Sequence, residues 1–130
     1  MSTQAATTGS QSPRERILDV SAQLFARQGF HATGVSQIAG DAGVSKKTLY
    51  HHFRSKDDLV HAVLSNEAIH QFNVFTSVVE RDSSDPERQL FTIFDFAEGW
   101  FRDSEFNGCM FVGAATEFDS SHKAILRQCA

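Results

Sequence analysis

Five of the six positions from Lys46 to His51 carry polar side chains that can hydrogen-bond: two ammoniums, a hydroxyl, a phenol and an imidazole, interrupted only by Leu49. This set lacks the nucleophile and base pairing of a hydrolytic site. It suits the sugar-phosphate edge and grooves of a nucleic acid, where hydroxyls, phenols and ammoniums hold phosphates and lysine favours guanine O6 and N7. On this reading Lys46, Lys47, Thr48 and His51 reach base edges. Thr33, Ser36, Tyr50, His52 and Lys56 hold the backbone, carrying register but no sequence code. The competing roles are packing for Tyr50 and His52, and a solvated face for Lys46 and Lys47.

Two short helices joined by a tight turn would position these groups. Val35, Ile38, Ala39 and Ala42 share one face at spacings of three and four, as do Leu49, His52 and Phe53 in the next segment. Gly43 supplies the positive φ of the turn, and Ser45 caps the second helix. The pattern is a helix-turn-helix. Upstream, Ser12-Pro13-Arg14-Glu15 is a helix start with a serine cap, a proline at the first position and a glutamate three after the cap. Ile17, Val20, Ser21, Leu24 and Phe25 form its stripe, and Gly29 ends it. Thr33 is expected to cap the following helix.

Downstream, Ser55 to Asp58 opens a long helix to about Val79. Its early residues Leu59, Val60, Val63 and Leu64 close the head, and Ile69, Phe72, Phe75, Val78 and Val79 are expected to pack into a body. After a polar loop over 81–85, Asp85-Pro86 starts a helix with the stripe Leu90, Ile93, Phe94, Ala97, Trp100 and Phe101. A further helix is expected from about Asn107 to Phe118, and another after Ser121. No segment alternates with period two for long enough to suggest a strand, so the fold class is all-α.

Thr48 to Leu59, preceded by Ile38-Ala39 and Gly43-Val44-Ser45, resembles the DNA-binding domain of the TetR/AcrR family of bacterial transcriptional regulators. Arg14 to Phe30 resembles that family's first helix, and Gly108 to Val112 the start of a ligand-domain helix. The likeness supports Thr48, Tyr50 and Lys56 most directly as DNA contacts, while Gly34 departs from the hydroxyl residue often found there. It implies a disordered tail over 1–12, a helix-turn-helix domain over 13–58 and a helical regulatory domain over 59–130 that is shorter than the family's. It further implies a homodimeric repressor on a palindromic double-stranded DNA operator, released by a small apolar or aromatic effector. The effector would tilt the helix from Lys56 to Val79 and so shift the DNA-reading head.

Charge distribution agrees with that division. The 130-residue chain has a formal net charge of -4, yet residues 1–56 hold seven Lys or Arg against three acids, and residues 57–130 five against thirteen. A basic reading head on an acidic body gives such a split. Twelve phenylalanines suggest an apolar cavity, with Phe72, Phe94, Trp100, Phe101, Cys109 and Met110 as candidate ligand contacts. The alternative is a small helical ligand-binding or interaction protein without specific DNA binding.

Catalysis finds little support. Glu67-x-x-His70 is the element used by di-iron helical bundles, but its second copy would have to be Asp119-x-x-His122. There is no His-Glu-x-x-His, no Cys-x-x-Cys and no glycine-rich phosphate loop. No metal, cofactor or enzymatic activity is expected. The N-terminus is neither basic nor apolar, no apolar run approaches membrane-spanning length, and mean hydropathy is -0.28. A cytoplasmic chain with reduced Cys109 and Cys129 is the expectation.

Overall fold

The computed structural model describes residues 10–82, 84–104 and 106–130. Most of the expected tail, through residue 9, lies outside them, as does Ser83 of the expected loop. The described residues form α1 (Pro13–Gln28), α2 (Val35–Ala42), α3 (Lys46–His52), α4 (Lys56–Asp82), α5 (Pro86–Arg102), α6 (Met110–Glu117) and α7 (Lys123–Cys129), with no strand among them. The chain is all-helical, in agreement with its periodicity.

Local chemistry sets most boundaries. Ser12 Oγ accepts from the Glu15 amide at 3.2 Å, and the Glu15 carboxylate accepts from the Ser12 amide at 3.4 Å, completing a capping box ahead of Pro13. Gly29 ends α1 at φ +87, and a Cβ there would fall 3.1 Å from the Glu117 carboxylate. Glycine therefore meets both a backbone and a space requirement. Gly43, left-handed at φ +69, ends α2 while the Val44 amide donates back to the Ala39 carbonyl at 3.0 Å. Ser45 Oγ accepts from the Thr48 amide at 3.0 Å to open α3, and Ser55 Oγ accepts from the Asp58 amide at 3.1 Å in the first turn of α4.

Two compact units result. One contains α1, α2, α3, α4 as far as Ser65, α6 and α7; the other is α4 from Asn66 together with α5, to Phe106. In the first unit the core joins Ile17, Leu24, Phe25, Phe30, Ile38, Leu49, Phe53, Leu59, Val60, Val63 and Leu64 to Ala114, Phe118 and Ile125, all buried. Phe30 lies at its centre, 4.8 Å from the Phe25 ring and 5.6 Å edge-on from Phe118. The apolar segments of α6 and α7, expected in the regulatory domain, thus complete the core of the first unit.

The 66–106 unit is thinner. Phe75 and Phe96 meet edge-on at 6.0 Å, joining α4 to α5, but α5 buries no residue fully. Ile69 and Phe72, expected to pack into a body, are 62% and 68% exposed. A 3.6-residue stripe records that a face is apolar; burial further requires a neighbour on that side.

Candidate nucleic-acid interface

Leu49 is fully buried and anchors α3 to the core, so the side chains on the opposite side of the helix face solvent. Lys46, Lys47 and His51 are exposed, and Tyr50 is 45% exposed. Spacings of three and four put Lys47 beside both Tyr50 and His51 and Lys46 beside Tyr50, forming one cationic and hydrogen-bonding surface. Thr48 and His52 are half-buried at its edge. The Thr48 hydroxyl is 3.0 Å from Ser45 Oγ, and the His52 ring meets His51 edge-on at 5.2 Å. Arg14 lies over the Phe53 ring at 5.1 Å, and Arg16 Nε donates to the Ala42 carbonyl at 3.2 Å, tying α1 to both reading helices.

The preceding segment corrects one expected contact. Thr33 is fully buried; its hydroxyl donates to the Gly29 carbonyl at 2.7 Å and accepts from Gln28 Nε2 at 3.3 Å. It therefore braces the turn after α1 instead of meeting phosphate. Nor does it cap α2, whose N-cap is Gly34 with no side-chain bond. Ser36 is exposed on the first turn of α2. Replacing Thr33 with valine should cost about 1–3 kcal/mol in a urea titration through the orphaned Gly29 carbonyl. DNA affinity of the folded variant should stay within twofold; a large affinity loss without a stability change would restore the phosphate role.

Lys56 stands half-buried at the first position of α4. Burial lowers its pKa, opposed by the neighbouring Glu117 and Asp57 carboxylates. Its ammonium thus already has acidic neighbours. Glu117 was not legible as a functional residue, being a single acid at the end of an apolar run. Its carboxylate accepts from the Phe30 amide at 2.8 Å and the His31 amide at 2.9 Å, while the His31 ring hydrogen-bonds the Glu117 carbonyl. One side chain from α6 therefore clamps the turn between α1 and α2.

A second tie runs from the α6–α7 corner to α4. His122 Nδ1 lies 3.1 Å from Asp119, and His122 Nε2 lies 3.3 Å from Asp57. Hydrogen bonds from the Ser121 hydroxyl and amide, then His122, hold the Asp119 carboxyl down from its ordinary 3.8 to about 2. A depressed acid contributes above its unfolded pKa and loses that contribution as pH falls. The corner should therefore loosen as pH drops from about 4 towards 2. A carbon-detected NMR titration of Asp119 checks this, and an ordinary midpoint near 4 would contradict it.

Of the six candidate ligand contacts, Phe72 and Trp100 line a groove of about 610 Å³ in the 66–106 unit, where Phe75, Phe96 and Phe106 join them. Phe94 and Phe101 are outside its lining, 66% and 59% exposed. Cys109 and Met110 belong to the other unit, Cys109 as the N-cap of α6 and Met110 against the head core. Both cysteines are free, and burial, with Cys109 nearby, pushes the Cys129 thiol up. Glu67-x-x-His70 and Asp119-x-x-His122 fall in different units.

The geometry of α1–α3 is that of a known regulatory domain, and sequence comparison decides which. The family described as bacterial regulatory proteins, tetR family, matches residues 17–63. This segment is similar to that of the tetR family. The chain is 38% identical over 73 residues to the HTH-type transcriptional repressor KstR2 of Rhodococcus jostii, a match covering 56% of this chain and 36% of that protein. It is also 37% identical over 91 residues to the HTH-type transcriptional activator FasR of Mycolicibacterium smegmatis, covering 65% of this chain and 40% of that one. Among solved structures, a TetR-family regulator from Agrobacterium tumefaciens superposes with a TM-score of 0.79 at 25% identity, covering 92% of this chain and 62% of that one. Another from Streptomyces coelicolor gives 0.76 at 28% identity, covering 89% and 63%. The chain thus spans well under half the length of these curated relatives. Among the described residues, no helix is long and apolar enough to cross a membrane.

Proposed function

We propose that this chain is a ligand-responsive transcriptional regulator, a repressor that binds an inverted-repeat operator as a homodimer and leaves it when an apolar effector is bound. The observation that carries the reading is the exposed surface of Lys46, Lys47, Tyr50 and His51 on a helix anchored by buried Leu49, within the segment matched to the family. Lys46, Lys47, Thr48 and His51 read base edges, and Ser36, Tyr50, His52 and Lys56 hold phosphates. The repressor assignment follows the KstR2 likeness. Helix α4 contributes Leu59 to Leu64 to the head core and its later turns to the 66–106 unit. An effector that prefers one arrangement of α4 would shift the head by its differential affinity for the two states. On this reading the protein is a cytoplasmic DNA-binding protein with no catalytic role.

Selection of bound fragments from random duplex DNA at near-physiological salt tests the proposal. An inverted repeat is the expected product. A single half-site would remove the homodimer from the reading, and no enrichment would remove DNA recognition. Affinity should also fall steeply with salt, because each neutralised phosphate releases counterions.

A further inference from the structure

The α6–α7 hairpin carries a cysteine at each of its free ends. Its two helices pack against each other, and the connection between them, Phe118 to His122, is short enough to join antiparallel neighbours. The start of α6 therefore lies beside the end of α7. Register agrees. Ala114 and Ile125 are buried in the same core, and one turn outward from them stand Met110 and Cys129, both packed on that core. Cys109 precedes Met110 as the N-cap of α6, at the positive end of the helix, and its side chain makes no capping hydrogen bond. The Cys129 thiol donates to the Ile125 carbonyl at 3.4 Å. Both cysteines are half-buried, so neither is sealed from small solutes. Burial, and then the neighbouring Cys109, pushes the Cys129 thiol up, which keeps it protonated at neutral pH and places each sulfur within the field of the other.

We propose that hydrogen peroxide converts Cys109 and Cys129 into a reversible intramolecular disulfide, with Cys109 as the attacking sulfur and Cys129 as the resolving one. First the Cys109 thiolate attacks a peroxide oxygen: an S–O bond forms, the O–O bond breaks, and the departing hydroxide takes up the proton that Cys109 released, giving water. The Cys129 sulfur then displaces the sulfenic hydroxyl: the S–S bond forms, the S–O bond breaks, and the hydroxide leaves with the Cys129 proton as a second water. Two thiols lose two electrons and one peroxide gains them. A thiol reductant restores both cysteines by exchange. The bond needs no DNA and does not depend on the regulator reading. It reaches the turn after α1 through the same hairpin, because α6 ends in Glu117, whose carboxylate holds the Phe30 and His31 amides. Tying the free ends of the hairpin steadies that clamp.

Mass spectrometry of the whole 130-residue chain tests the bond. After peroxide and trypsin, peptides 103–123 and 128–130 should be joined by a link that dithiothreitol cleaves. Cys129→Ser should stop at a sulfenic acid on Cys109, trapped by dimedone, and Cys109→Ser should be oxidised at least about tenfold more slowly than the unaltered chain. Circular dichroism checks that both variants keep their helices. In the oxidised chain, hydrogen exchange at the Phe30 and His31 amides should slow at least about threefold. A link only between two copies, a sulfinic product without a link, or thiols that persist in the unaltered chain would each overturn the site. Equal oxidation rates in the unaltered chain and Cys109→Ser would overturn Cys109 as the attacking sulfur, and unchanged exchange would overturn the coupling to the clamp.

Discussion

On the proposed docking, a Lys47→Ala/Tyr50→Ala variant is expected to bind a selected operator fragment roughly 30- to 1,000-fold more weakly, about 2–4 kcal/mol, the sum of a base-edge contact at about 1–3 kcal/mol and a phosphate hydrogen bond at about 1 kcal/mol. Both side chains are exposed on α3 and neither contributes to the core, so the thermal unfolding midpoint should hardly move. The two losses differ in kind. Loss of Lys47 should relax discrimination at the base it reads, whereas loss of Tyr50 should weaken all duplexes about equally. Fluorescence anisotropy against the selected fragment and a scrambled one separates them. Unchanged affinity in both single variants would remove α3 as the docking surface.

Phe30→Ala should produce the largest stability loss, about 3–5 kcal/mol, since a nearly fully buried ring at the centre of the core leaves a cavity that its neighbours fill only in part. That is a fifth or more of the stability of an ordinary domain. Phe72→Ala is the internal comparison: at 68% exposure it should cost under about 0.5 kcal/mol. Urea titrations of the pair give a direct contrast. Similar midpoints for both variants would mean that Phe30 is not where the head's packing converges.

The head was legible because its signals are local. A serine cap with a glutamate three residues later, a glycine at a left-handed position and a serine before two lysines each depend on neighbours within five residues, and each appears as expected. Thr33 shows that residue type reveals a hydroxyl's need for a partner but not which one; within the fold its partner is the Gly29 carbonyl. The segment from Met110 to Phe118 gave a helix in its sequence but no address. Its apolar face packs against Phe30, more than 80 residues earlier, and no periodicity encodes a partner at that separation. Phe94 and Phe101 lie on the apolar stripe of α5 but outside the groove lining, because a stripe records which face is apolar and not which part of it meets α4.

The clamp that Glu117 places on Phe30 and His31 spans 86 and 87 residues, which gives it a place in the chain's history as well as in its structure. At roughly 5–20 residues per second on a ribosome, the turn after α1 waits several seconds for its carboxylate. During that interval its two amides have only water, and the Phe30 ring lacks the edge of Phe118. The nascent chain therefore passes through a stage in which α1 to α3 exist without their closing face. The recognition surface becomes fully supported only when the segment beginning at Met110 has been made.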